Sequence, residues 1–259
     1  MRFKELVDNP NFISGIHNYC DRWCERCHFT ARCAVYAAEK ADPDNDPSSR
    51  DINNAAFWQK LASIFKEAHE MIAEWAEENG VDLSEEALAP IGELQEKQRR
   101  ITRKNPLAQA AEKYAFDVSE WFEKDFRPLD VISDIPPKSE DTEQTEDDVN
   151  DYVEVVRWYQ FFIAAKLIRG LTSRIDEDDY LAGDDPRDSD GSAKAALIAI
   201  DRSISAWKLI CELQPENADS IHRLLFQLEK MRSGAEREFP NARDFIRPGF
   251  DEPTLDLLH

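Results

Sequence analysis

Two stretches decide the fold: VNDYVEVVRWYQFFIAAKLIRGLTSRI, residues 149–175, and SAKAALIAIDRSISAWKLICEL, residues 192–213. Neither alternates polar and apolar residues with period two. Both carry apolar side chains on nearly every side of a 3.6-residue helix. In the first, Trp158, Tyr159, Phe161, Phe162 and Ile163 leave little polar face. In the second, Ala195, Ala196, Leu197, Ile198, Ile200, Ile204, Trp207, Leu209 and Ile210 do the same. A helix that is apolar all round belongs inside a bundle, where neighbours cover each side. The pattern predicts a mainly α protein, a helical bundle built around these two segments.

Outward from them, the same period recurs. Phe57, Leu61, Ile64, Phe65, Ala68, Met71, Ile72 and Trp75 form one face of a helix over residues 52–75, which Asn79-Gly80 stops in the left-handed conformation. Ser84 caps a helix reaching about Arg103, with Pro90 as the point where it can bend. Pro106 opens the next, striped by Leu107, Ala111, Tyr114, Val118, Trp121 and Phe122 and ended by Pro128. Beyond Pro215 a last helix is marked by Ile221, Leu224, Leu225, Leu228 and Met231. The acidic stretch at 138–151 is the linker candidate. From Phe239, three prolines beside Phe245, Ile246 and Phe250 suggest an irregular tail laid over the bundle. The expected organisation is a cysteine-cluster segment at 1–45, a helical bundle at 46–235 and the tail at 236–259. One bundle is favoured because the two most apolar helices follow the linker and need partners that precede it. The six tryptophans are expected to anchor the core.

The chain has 259 residues, with 32 Lys and Arg against 53 Asp and Glu, a net charge of −21. Nucleic acid and anionic membrane would repel it, so neither is expected as a partner. The acidic runs at 138–151 and 176–190 would suit a basic protein partner, or simply keep the chain in solution. Only 8 glycines argue against phosphate-cradling loops. No apolar run reaches the ~18 residues of a membrane span, and the opening MRFKELVDNPNF lacks a secretion signal's apolar core. A soluble, cytoplasmic protein is the expectation.

The functional signal is HNYCDRWCERCHFTARC, His17 to Cys33, in which Cys20, Cys24, Cys27 and Cys33 follow the spacing C-x3-C-x2-C-x5-C. A 14-residue window of this composition should hold about 0.3 cysteines, so four is a large excess. In a reducing cytosol such a cluster points to metal or redox chemistry rather than disulfides. The bland alternative puts Cys20, Cys24 and Cys27 at i, i+4 and i+7 as small buried hydrophobes on one helix face. The charged residues between them, Asp21, Arg22, Glu25 and Arg26, speak against that.

On a regular helix, i and i+7 lie about 10.5 Å apart along the axis, too far to share one zinc with sulfurs at about 2.3 Å. A four-iron, four-sulfur (4Fe-4S) cluster spreads its thiolates further and is the favoured cofactor; zinc is the alternative. Tyr19, Trp23 and Phe29 would supply an apolar shell, and Arg22, Arg26 and Arg32 would offset thiolate charge. His17 or His28 could replace one cysteine at zinc. Cys20, Cys24 and Cys27 also share the C-x3-C-x2-C spacing of radical S-adenosylmethionine enzymes. That resemblance implies a barrel of strands and helices and an aromatic before the last cysteine, whereas this chain shows no strand pattern and has Arg26 there.

Other chemistry is thinly supported. Asp219-x-x-His222 approximates one half of a di-iron motif without a second half, and His69-Glu70 lacks a further histidine four residues on. Glu154, Asp201 and Asp117 are expected to pair with Arg157, Arg202 and Lys113 rather than act as catalysts. The acidic string at 184–191 does not align with a calcium loop, and Asp190 or Ser192 there is read as a helix cap. Cys211 is expected in the core. The sequence thus supports a 4Fe-4S protein for electron transfer or redox sensing with a redox partner. A zinc-stabilised interaction scaffold is the rival, and no enzymatic activity can be assigned.

Overall fold

The computed structural model describes residues 9–41, 47–126, 146–178 and 188–252. Among these are seven α-helices and no strand. They are α1 (Ala34–Ala41), α2 (Ala55–Asn79), α3 (Glu85–Lys104), α4 (Pro106–Lys124), α5 (Glu146–Asp178), α6 (Asp188–Leu213) and α7 (Ala218–Glu238). The mainly helical class expected from the sequence is what forms. No described helix is long and apolar enough to cross a membrane.

The chain's contacts divide it into two compact units. One is Met1–Ser14 with Cys24–Lys97, the other Gly15–Trp23 with Gln98–His259.

The second unit holds the packed core of α4, α5, α6 and α7. Tyr114, Tyr159, Ile163, Leu167, Leu197, Ile200, Trp207, Ile210, Ile221, Leu228 and Met231 are its large, fully buried side chains. Helix α6 is buried on almost every side, because Ala193, Ala195, Ala196, Ala199 and Ala206 let neighbours approach closely between its large residues. Helix α5 is more one-sided than its composition suggests. Val153, Val156, Tyr159, Ile163, Leu167 and Leu171 face the core, while Phe161 is exposed and lies edge-on to exposed Phe116.

Two indole N–H groups that enter this core are partnered. Trp207 Nε1 donates to the Tyr114 hydroxyl at 3.0 Å, and Trp121 Nε1 donates to Ser220 Oγ at 3.0 Å. Burial pushes the Tyr114 hydroxyl far above its ordinary pKa, so it stays a neutral acceptor. The tail closes over α6: Phe239, Ala242 and Phe245 are buried, and Lys194 of α6 pairs with Asp251 at 3.0 Å.

Helix ends follow local chemistry. Asn54 caps α2 by accepting from the Ala56 amide, and Gly80 ends it at φ 65°. Asn105 caps α4 ahead of Pro106. Pro90 lies inside α3, which continues through it. Helix α5 starts at Glu146, inside the stretch read as a linker; 138–145 and Pro128 lie outside the described residues. Helix α6 starts at Asp188, so Asp190 and Ser192 sit within it rather than capping it.

Two expectations about packing need correction. Of the six tryptophans only Trp121 and Trp207 are core anchors, whereas Trp58 and Trp75 are exposed. Trp75 lies on the α2 stripe, whose Ile64, Phe65, Met71 and Ile72 are also exposed, and Trp58 lies beside it. In α2 only Ala76 is buried.

Tyr114→Phe removes the acceptor of a buried indole N–H. We expect a loss of about 1–3 kcal/mol in the unfolding free energy by denaturant titration, with the helical content unchanged.

Candidate functional site

The cysteine run is not an α-helix. It consists of coil interrupted by single 3₁₀ turns at Ile16–Asn18, Cys24–Arg26 and Thr30–Arg32. Cys20, Cys24 and Cys27 therefore share no helix face, which removes the buried-hydrophobe alternative. It also removes the axial-rise objection to a single ion, since that objection applies to a regular helix alone. None of the four is in a disulfide, and all are half-buried.

Gly15–Trp23 belongs to the bundle unit and is held there by alternate residues. The Tyr19 hydroxyl donates to Asp188 Oδ1 at 3.0 Å, and its ring meets the edge of Phe245 at 4.8 Å. Asp21 Oδ2 accepts from the Tyr159 hydroxyl and from Arg202, both at 2.8 Å, and its carbonyl accepts from Trp158 Nε1 at 2.9 Å. Trp23 stacks on Trp158 at 5.0 Å. Lys166 donates to the Asn18 carbonyl at 2.6 Å. Residues 19, 21 and 23 thus act as a short peg, whose intervening Arg22 takes the left-handed conformation at φ 59°. Tyr19 and Trp23 serve this docking rather than enclosing the thiols as expected. The missed signal was that alternation of aromatic, acid and aromatic.

Cys20 lies between two of these anchors. Its thiol donates to the His17 carbonyl at 3.5 Å. Desolvation holds the thiol above its ordinary pKa, reinforced by Asp21 and opposed by the Arg22 amide and the Arg22 and Lys166 charges. Desolvation, with the charges of Arg22, Arg169 and Lys166, also lowers the pKa of His17 and favours neutral imidazole. In a chain of net charge −21 this is a locally cationic neighbourhood. Burial, then Asp21, pushes the Tyr159 hydroxyl up to about 12, so it remains a donor to that carboxylate.

Cys24, Cys27 and Cys33 belong to the other unit. The Cys27 amide donates to the Cys24 carbonyl at 3.2 Å, closing a tight C-x2-C turn, and the Phe29 amide donates to Cys27 Sγ at 3.4 Å. Cys33 immediately precedes α1, and the Ala37 amide donates to its carbonyl, so its thiol stands at the positive end of that helix. His28 is exposed in this stretch.

The donor set suits a soft metal or an iron–sulfur cluster. Its side chains are nevertheless not gathered: among the described residues, no three His, Cys, Asp or Glu groups are arranged to hold a metal ion.

The remaining candidates are structural. Asp117 pairs with Lys113 and Gln227, as its neighbour Lys113 suggested. Asp201 pairs with Arg243 and Arg232, because Arg202 is taken by Asp21. Arg157 lies over the Phe122 ring at 4.0 Å. Cys211 packs at the core's margin with its sulfur 3.8 Å from His222 Nε2. A cleft of about 420 Å³ between α4 and α7 includes Ser220, but that hydroxyl proton goes to the Asn217 carbonyl, leaving no activated nucleophile.

No protein-family model matches this chain, nor does any curated protein or solved structure.

Gly191 fixes how closely the peg can dock. A Cβ there would sit 2.4 Å from Tyr19 Cε1 and 2.8 Å from Phe245 Cζ. Gly191→Ala should cost about 1–3 kcal/mol of stability through this overlap. It should also speed amide exchange across residues 19–23, measured by hydrogen–deuterium exchange.

Burial opposes ionisation of Asp188, but Arg169, Ser173 and Tyr19 outweigh it and hold the carboxyl below its ordinary range. A folded-state pKa below the unfolded one stabilises above about pH 4, and that stability is lost as pH falls through the folded value. The stability gap between wild type and Asp188→Asn should be widest near neutrality and narrow below about pH 4, as read by thermal melts across pH.

Proposed function

We propose that Cys20, Cys24, Cys27 and Cys33 hold a 4Fe-4S cluster that serves electron transfer or redox sensing. The observation that carries this reading is four half-buried cysteines, none in a disulfide, within 14 residues of chain that forms no α-helix, one sulfur already accepting a backbone amide. A bound cluster would supply a one-electron redox centre. The chain's own part is to fix Cys20 through the Tyr19–Asp21–Trp23 peg and to present Cys27 to the Phe29 amide. It also places Arg22, Lys166 and Arg169 where they offset thiolate charge. A cytoplasmic location and a redox partner belong to this reading, because free thiols persist in a reducing compartment.

A second reading is a zinc-stabilised interaction scaffold, with the acidic surface presented to a basic partner. It is favoured by the coil conformation of the run, which lets backbone fold around one ion, and by His17 being held neutral beside Cys20.

Metal analysis of anaerobically purified full-length protein separates the two. The cluster reading expects a brown protein with about four irons per chain, and iron loss on replacing each of Cys20, Cys24, Cys27 and Cys33 by Ser. Cys211→Ser should leave iron unchanged. A colourless protein with one zinc, losing helicity on chelation without any redox signal, supports the scaffold instead. Neither metal in the anaerobic preparation defeats both.

A further inference from the structure

The α2 helix leaves an apolar face exposed over most of its length, with Phe57 and Leu61 half-buried at its start. Trp58, Ile64, Phe65, Met71, Ile72 and Trp75 are between 49% and 66% exposed. Six residues on this face alternate in steps of four and three, the heptad spacing of helices that pair. Leu61, Ala68 and Trp75 take one core position, and Phe57, Ile64 and Met71 the other. Trp58, Phe65 and Ile72 widen one flank, and Lys60, Glu67 and Glu74 form the opposite flank.

Charge along α2 is segregated. Residues 55–66 carry Lys60 and Lys66 and no acid, while 67–79 carry Glu67, Glu70, Glu74, Glu77 and Glu78 and neither Lys nor Arg. Such a helix complements its own reverse. A parallel pair would set lysines beside lysines and glutamates beside glutamates, and its flanks would face Lys60 and Glu67 with Phe65 and Ile72.

We infer that α2 is a self-association surface, through which two copies of this chain pair with their α2 helices antiparallel. In the register that fills every core position, Phe57 lies against Trp75 of the second copy, Leu61 against its Met71 and Ile64 against its Ala68. One flank is apolar, with Trp58 opposite Ile72 and Phe65 opposite its own equivalent. The other sets Lys60 opposite Glu74 twice, once from each copy, with Glu67 opposite Glu67 on the two-fold axis. Two bridges and one like-charge contact follow. A basic partner would have to tolerate the lysine half, and an anionic membrane would meet five glutamates.

The inference is independent of any metal, because a metal-free preparation is still expected to dimerise. Sedimentation equilibrium of the full-length chain at fixed ionic strength tests it. The wild type should dimerise, and Met71→Glu should raise the dimer dissociation constant by at least about 100-fold by burying an unpaired charge from each copy in the seam. Lys60→Glu and Glu74→Lys, each replacing two bridges with two repulsions, should each weaken it about tenfold. Combining them should restore most of the wild-type value. Glu67→Gln should tighten it a few-fold by removing the central repulsion. Circular dichroism confirms that each variant keeps its helices. If a charge swap loses helicity, Glu67→Gln decides alone, with unchanged affinity counting against the inference. A monomer at all concentrations, an intact dimer in Met71→Glu, or a double swap that fails to restore association overturns it.

Discussion

The close approach of α5 to α6 is the constraint on which the bundle depends. It is set by residues too small to keep the helices apart. A Cβ at Gly170 of α5 would meet the Ser189 carbonyl oxygen of α6 at 3.1 Å, whereas one at Gly191 of α6 would overlap Tyr19 and Phe245, which lie outside α5. Glycine inside a helix costs conformational entropy, so its presence here marks places where contact outweighs that cost. The alanines of α6 extend the same logic, letting Leu167, Leu197, Ile200 and Trp207 interlock between closely spaced backbones. Helices α4 and α7 then cover the remaining apolar surface, and Phe239 and Phe245 seal one end.

That closeness has a consequence for the candidate site. The Gly191 position leaves room for the Tyr19 ring beside Phe245, so residues 15–23 dock on the bundle through packed and hydrogen-bonded contacts. Asp21 is the electrostatic centre of the arrangement. It joins Arg202 of α6 to Tyr159 of α5, which makes the peg a reporter of the central helix pair. Cys20 is consequently placed by the fold, whereas Cys24, Cys27 and Cys33 are shaped by their own turns and by the start of α1. Anchoring one thiol would reduce the freedom lost if the proposed inorganic centre assembled around several.

Charge is distributed to the same effect. A chain of −21 disfavours further negative charge, and four thiolates would add to it. Arg22, Lys166 and Arg169 around His17 and Cys20 provide local relief that net charge alone conceals. The α2 helix shows a second kind of local pattern, with its basic and acidic halves separated along one axis.

Much of the architecture was legible because periodicity is a local property. The stripe of α4, the glycine stop of α2 and the all-round burial of α6 each depend on residues within a few turns of one another, and each appears in the structure. The apolar stripe of α2 was equally legible, yet its exposure was not, since periodicity records that a face is apolar and not what covers it. For the same reason Trp58 and Trp75 read like Trp121 and Trp207. The cysteine spacing identified donors, and the helix it would also allow does not form, because Asp21, Tyr19 and Trp23 find partners 135 to 226 residues away. By itself the sequence determined the helices, their caps and the presence of four clustered thiols, all matters of neighbouring residues. Only the tertiary structure decided which apolar faces are buried, which ions pair and where Cys20 is held, since those depend on contacts between segments far apart along the chain.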